Sequence, residues 1–186
     1  MKFETTGIQD CYLITPKLFE DERGYFFESF NQQIFTEATG ISRNFVQDNQ
    51  SKSQRNVVRG LHAQQGEHAQ AKLVRVLEGE VIDVAVDIRK ESPTFGQIVC
   101  ERLSAENKKQ LYVPRGCLHG FSVLSETAIF FYKCDNFYHK ESEIGVFPFD
   151  SELDIDWEIA LKSAIISEKD QELPHWTSFT QNLNLR

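Results

Sequence analysis

Residues 59–79 read RGLHAQQGEHAQAKLVRVLEG. Two histidines, His62 and His68, occupy a polar stretch between two strand-like runs, and Lys72 follows shortly after. Imidazoles that converge with a carboxylate hold zinc or iron. An ammonium in their midst repels such an ion, so no metal is expected. A fixed cation beside a histidine suits a different reaction. A base removes a proton from carbon next to a carbonyl, and the cation stabilises the negative charge that develops on oxygen. In this reading His62 is the candidate base, while Lys72, with His119, faces the oxygen. An acid on the opposite face returns the proton with inverted stereochemistry. Tyr132, in FFYKCD, is the candidate, because a phenol on a strand can donate into an interior.

These groups need a frame, and the centre of the chain carries strand signals. AKLVRVLEGEVIDVAVDIR (71–89) alternates in two runs hinged at Glu78-Gly79-Glu80, which predicts a hairpin. GQIVCERLS (96–104), KQLYVP (109–114), GFSVLSE (120–126) and AIFFYKCDNFY (128–138) continue the pattern, separated by turn signals at Ser92-Pro93, Ala105-Glu106-Asn107 and Pro114-Arg115-Gly116. Short strands at this spacing predict a mainly β fold of the jelly-roll kind, and fifteen phenylalanines against one methionine suit a sheet-lined interior.

The histidine spacing adds a cupin-like note. Metal-binding cupins carry a glycine, two histidines and a glutamate on one strand, then a block with proline, glycine and histidine. PRGCLHG supplies Pro114, Gly116 and His119, but His62 and His68 are six apart instead of two, and Lys72 stands in the approximate ligand slot. The expected architecture is a cupin-like jelly-roll barrel with a metal-free site. Helical signals lie at the edges: NQQIFTEATG (31–40) ends on a glycine stop, and residues 150–172 predict one or two short helices over an end of the barrel. A strand-rich centre with a helical tail argues against an alternating βαβ fold.

The bulk numbers bound the function. The 186 residues suit one domain with a sizeable core. A net charge of −8 and a pI of about 5.2 argue against general nucleic-acid binding. No apolar run approaches the roughly 20 residues that span a bilayer, so no membrane partner is expected. MKFETTGIQD lacks the apolar core of a signal peptide, so a cytoplasmic protein is expected. Cys11, Cys100, Cys117 and Cys134 are widely spaced, form no CxxC pair and read as reduced thiols.

Over most of its length the chain resembles the dTDP-4-dehydrorhamnose 3,5-epimerase family. The resemblance rests on DERGYFFESFN (21–31), FVQDNQSKS (45–53), VVRGLHAQ (57–64), residues 71–96, LSAENKKQLYVPRGCLHGF (103–121), FFYKCDNFY (130–138) and SEKD (167–170). It implies cofactor-free epimerisation of a dTDP-4-keto-6-deoxy sugar at C3 and C5. It implies His62 as general base, Asp170 as its orienting carboxylate, Tyr132 as general acid, and Lys72 on the C4 keto oxygen with His119 close by. Arg59 and Lys169 would hold the diphosphate. Gln47, Asp48, Asn49 and Glu143 would complete the pocket, and Tyr138 would stack near the base or sugar. Arg23, Phe26 and Glu28 would reach the thymidine half from the exchanged N-terminal arm, about residues 1–30, of a homodimer.

Four positions depart from the family pattern: Ala63 where tyrosine is common, Gln50 in place of histidine, and Cys117-Leu118 in place of Phe-Ala. None is a proton-transfer group. Ala63 and Gln50 are expected near the sugar, where they bear on substrate range. Two other readings stay open: a single-carbon epimerase or 3,4-ketoisomerase on the same barrel, and a non-enzymatic sugar-binding cupin. Among the remaining titratable residues, His68 reads as a loop histidine, Asp83 either supports His119 or does not, and Asp87 reads as a solvated acid near a turn.

Overall fold

Alternating side chains on the central strands create two large sheets with apolar faces on both sides of one of them. The computed structural model describes residues 1–183. One sheet has six strands in the order β1 (Lys2–Thr5), β2 (Tyr12–Thr15), β10 (Gln110–Val113), β7 (Lys72–Glu78), β12 (Thr127–Cys134) and β5 (Gln47–Gln54). The second has five: β13 (Glu143–Gly145), β6 (Val58–Gln64), β11 (Cys117–Val123), β8 (Glu80–Asp87) and β9 (Ile98–Ser104). A separate two-stranded hairpin joins β3 (Phe19–Asp21) to β4 (Gly24–Phe26).

The expected mainly β class holds, but the jelly-roll, cupin-like barrel does not. Neither large sheet closes on itself: β1 and β5 are edges of the first, β13 and β9 of the second. Periodicity marks where strands lie, but it carries no information on which strands pair. The stretch 71–89 shows the same gap. It forms two strands broken at Gly79, yet β7 and β8 join different sheets, so it is a corner and not a hairpin. Gly79 has φ +78°, and a β-carbon there would lie 2.1 Å from the Thr127 carbonyl oxygen. Only glycine fits this turn.

The inner faces of the two sheets share a core that includes Val74 and Val76 of β7, Val81 and Ala85 of β8, Leu103 of β9, Leu111 of β10 and Phe130 of β12. The outer face of the five-stranded sheet carries Ile82, Val84 and Val86, covered by Leu153, Trp157 and Phe179. Strand β8 is therefore buried on both sides, which explains its near-continuous apolar run. The predicted 31–40 helix is α1 (Gln32–Thr39): Asn31 accepts hydrogen bonds from the Gln33 and Ile34 N–H groups, and Gly40 closes it at φ +72°. In the tail, a 3₁₀ turn (Leu161–Ser163) and α2 (Glu168–Gln171) fall within 150–172, followed by α3 (Trp176–Leu183).

Two local expectations also change. Asp87 is near a turn but fully buried, not solvated. It accepts bonds from Arg89 (backbone N–H, Nε and Nη2), Ser92 Oγ and Thr94 Oγ1 at 2.6–2.9 Å. Burial alone would raise its pKa, but these donors outweigh it and hold the carboxyl at about 2. All four cysteines are free thiols, with Cys11, Cys117 and Cys134 buried.

Candidate active site

The inner faces that form the core also turn polar residues toward one opening between the sheets. Period-2 alternation puts Lys72 with Val74, Tyr132 with Phe130, and His119 with Phe121 on those faces. From the facing strands come Asn49 and Ser51 of β5 and Arg59 and His62 of β6. The result is a pocket of about 640 Å³ lined by these residues except the buried Val74, with Lys169 and Asp170 from α2.

His62 and His119 lie opposite each other across the β6–β11 pairing. Close approach of these strands depends on Gly60 and Gly120: a β-carbon on Gly60 would lie 2.6 Å from the Gly120 Cα, and one on Gly120 would lie 2.6 Å from the Arg59 carbonyl. Asp170 reaches His62 from a short helix capped by Ser167, whose side chain accepts the Asp170 N–H. His62 Nε2 and Asp170 Oδ1 are 2.7 Å apart, and the Gly60 N–H donates to Asp170 Oδ2 at 3.4 Å. Burial pushes the Asp170 carboxyl up, but its bonds from His62, Gly60 and Ser167 prevail and hold it below the usual range. With Nε2 engaged, Nδ1 is the free nitrogen of His62.

Tyr132 is half-buried at the pocket, and burial pushes its phenol up to about 12, so it stays protonated at neutral pH. The Lys72 ammonium lies 5.8 Å from the centre of the Tyr132 ring. Burial lowers the Lys72 pKa, and the negative charges of the Asp83 and Glu143 carboxylates oppose that fall. His119 is nearly buried, and its Nε2 meets Asp83 Oδ1 at 2.8 Å, which settles the open reading of Asp83. Arg59 is steadied by a 3.1 Å bond from its Nε to Ser53 Oγ. An imidazole–carboxylate pair, a protonated phenol and an ammonium thus surround one cavity, which is the equipment for removing and returning a carbon-bound proton.

The other expected residues lie at the rim or beyond it. Tyr138 donates to Glu143 Oε2 at 2.9 Å, and Lys169 pairs with Glu143 Oε1. Gln47 Oε1 accepts the Tyr138 N–H at 3.1 Å, and Gln47 Nε2 donates to Asn49 Oδ1. Asp48 alternates to the opposite side of β5, where it pairs with Lys133 at 2.7 Å, away from the pocket. Arg23 pairs with Asp21 on the β3–β4 hairpin, Phe26 is 70% exposed, and Glu28 accepts a bond from Asn31. None of these three lines the pocket of its own chain among the described residues. Ala63, next to His62 in sequence, points the other way into the core behind β6 with Val58, Leu61 and Ile144, so it does not face the cavity. Gln50 does line it. His68 stacks on His139 with ring centres 3.9 Å apart, as a loop histidine.

Sequence reasoning missed Ser53, Phe121, Phe130 and the Ile165-Ile166 wall. Ser53 was legible as the third inward position of a strand that also turns Asn49 and Ser51 inward. The isoleucines had no such signal, because they lie in irregular chain ahead of α2.

Comparison with known proteins agrees with this geometry. The family model described as dTDP-4-dehydrorhamnose 3,5-epimerase matches residues 5–178. A Salmonella typhimurium dTDP-4-dehydrorhamnose 3,5-epimerase is 55% identical over 174 residues, covering 90% of this chain and 95% of that protein. The crystal structure of the Elizabethkingia anophelis enzyme of the same name superposes with a TM-score of 0.93 at 60% identity, covering 96% and 97% of the two chains. A Legionella pneumophila dTDP-6-deoxy-D-glucose-3,5-epimerase, solved with dTDP-4-keto-L-rhamnose, gives a TM-score of 0.92 at 47% identity, covering 98% and 96%.

Proposed function

The chain belongs to the dTDP-4-dehydrorhamnose 3,5-epimerase family, and on that premise we propose that it inverts C3 and C5 of dTDP-4-dehydro-6-deoxy-D-glucose, giving dTDP-4-dehydro-L-rhamnose for dTDP-L-rhamnose biosynthesis. It is an isomerase. The observation that carries the reading is the convergence of the His62–Asp170 pair, Lys72 and Tyr132 on one pocket.

Nδ1 of His62 takes the proton from C3 or C5, and the C–H electron pair moves into an enolate on the C4 oxygen. Asp170 stabilises the imidazolium that forms. Lys72, with His119 beside it, stabilises the oxyanion. Tyr132 then delivers its proton to the opposite face of the carbon, and exchange with solvent restores both groups. Arg59 and Lys169 hold the diphosphate. Asn49, Gln47 and Glu143 shape the site, and Tyr138 stacks on the base or sugar. Asp48, turned to the other side of β5, stands apart from the site. An ammonium among the imidazoles repels a divalent ion, so the reaction runs without a metal or cofactor. Exhaustive chelation is expected to leave the rate unchanged; loss restored by one divalent ion would refute this.

The chain acts as a single domain in a cytoplasmic homodimer. The β3–β4 hairpin exposes Phe19, Tyr25 and Phe26 (55–70% exposed), a surface suited to burial against a second copy. In that arrangement Arg23, Phe26 and Glu28 reach the partner's nucleotide. Deleting the β3–β4 hairpin (residues 19–26), which leaves β1 and β2 in the sheet, is expected to weaken both dimerisation and dTDP binding, and a folded deletion variant that binds dTDP normally would rule the arm out. The function itself is tested by proton NMR of the product formed from dTDP-4-keto-6-deoxyglucose in heavy water. Deuterium at both C3 and C5, with inversion, is expected. Inversion at one carbon only would make the protein a mono-epimerase.

A further inference from the structure

Asp83 is a carboxylate buried between the two sheets, with no exposed surface. Its Oδ1 is taken by His119 Nε2, and its Oδ2 has no hydrogen-bond partner among the described residues. An unpartnered carboxylate oxygen in such a place is costly, and it is retained where its charge serves a purpose. Lys72 has the complementary problem: an ammonium in a desolvated site that favours the neutral amine.

Few groups can balance that ammonium. Strand β12 offers Tyr132 and Cys134, but burial keeps the Tyr132 phenol at about 12 and the Cys134 thiol at about 11, so both are neutral near pH 7. Strand β13 offers Glu143, whose oxygens are already engaged by Lys169 and Tyr138. His62 and His119, from β6 and β11, supply no negative charge. Strand β8 offers Asp83, turned into the shared core between Val81 and Ala85 as Lys72 is turned in beside Val74, and its second oxygen is uncommitted. The influence is mutual. Burial raises the Asp83 pKa, and the charges of His119 and Lys72 oppose that rise.

We propose that Asp83 is a positioning residue for the epimerisation: one oxygen fixes the His119 ring, and the other supplies the countercharge that keeps the Lys72 ammonium protonated at the pocket. The proposal rests on the epimerase reading, in which Lys72 meets the C4 oxygen. It assigns Asp83 an effect through Lys72 and His119 and no contact with substrate.

The test is Asp83→Asn, which keeps the shape and an acceptor for His119 but removes the charge. The sign follows from Lys72: its negative neighbour raises its pKa, so removing that neighbour lowers it. Activity that needs the ammonium is lost as pH rises through the Lys72 pKa, so the basic limb of the kcat profile is expected to move to lower pH, by about one unit. At neutral pH kcat is expected to fall about 10-fold to 100-fold, with KM changed much less. His119→Gln retains the carboxylate, so it is expected to slow the reaction with the basic limb in place. An Asp83→Asn enzyme whose profile keeps the wild-type shape overturns the proposal, at whatever rate it runs. If Asp83→Asn does not fold by circular dichroism, a basic limb that moves down in His119→Gln overturns it instead. The unaltered protein is the internal standard. Absence of deuterium exchange at C3 and C5 there would defeat the epimerase reading itself, whereas an unmoved limb in an active Asp83→Asn defeats only the role of Asp83.

Discussion

The space between the two large sheets is filled on one side and open on the other. Toward β2, β10 and β9 it holds Leu13, Leu111, Val99 and Leu103, all buried apolar side chains. Toward β5, β12, β6 and β11 it holds Asn49, Tyr132, His62 and His119 around the cavity. Lys72 and Asp83 lie where the two sides meet, on β7 and β8. The backbone is the same extended ladder on both sides. What changes is the chemistry of the inward positions, so one alternating pattern encodes both the stability of the protein and its reactive site. The filled side lowers the free energy of the fold, and the open side spends part of it on buried charge.

This contrast is sharpest if substitutions on the open side remove rate and those on the filled side remove stability. His62→Asn is expected to have the largest effect, slowing deuterium wash-in at C3 and C5 about 100-fold to 10,000-fold while leaving the melting temperature nearly unchanged. Normal exchange in that variant would place the base elsewhere. Tyr132→Phe keeps base and cation, so exchange by proton removal and return on one face is expected to persist. Net inversion, read by NMR in heavy water, is expected to fall much further, by about 100-fold. Inversion of both centres at the wild-type rate would leave Tyr132 as a core aromatic.

On the filled side, Leu103→Ala is expected to cost about 2–5 kcal/mol of unfolding free energy in urea, with kcat of the folded fraction close to normal. A large loss of kcat without loss of stability would erase the distinction between the two sides. Asp87 provides a pH-dependent case. Its native pKa of about 2 lies below the ordinary 3.8, so its contribution is fully present above that ordinary value and is lost as pH falls toward 2. Asp87→Asn is expected to remove about 2 kcal/mol at neutral pH and to flatten the acid limb of the stability curve between about pH 4 and pH 2. An unchanged limb would show that the Asp87 carboxylate does not set the acid sensitivity of the fold. The smallest effect is expected at Asp48→Asn, on the solvent side of β5. Its exposed pair with Lys133 contributes at most about 1 kcal/mol, and nucleotide affinity should hold.

Much of this was readable from residue order alone. The two runs of 71–89, the capped helix at 32–39 and the convergence of His62, Lys72, His119 and Tyr132 all follow from side-chain period, cap chemistry and family motifs. What was not readable lies in three-dimensional contacts, some with partners distant in sequence and some with neighbours in the same turn or strand. Gly79 looks like a hairpin glycine until Thr127 is known to press on it. Asp87 looks solvated until Arg89, Ser92 and Thr94 fold over it. Ala63 looks like a pocket residue because it follows His62, yet a strand turns successive side chains to opposite faces. The barrel expectation failed for the same reason, since closure depends on which edges meet.

The corner at Gly79 also sets a timetable for the chain as it is made. Because consecutive strands go to different sheets, each wall of the pocket waits for a late segment: β5 for β12, and His62 for Asp170, 108 positions further on. At a synthesis rate of about 5–20 residues per second, His62 is without its carboxylate for about 5–20 s after it is added. Until β12 is complete at Cys134, 36 positions before Asp170, the growing chain carries β5 with no strand beside it, open to mispairing with other nascent chains. Pairing of β5 therefore precedes competence for catalysis, which waits for Asp170.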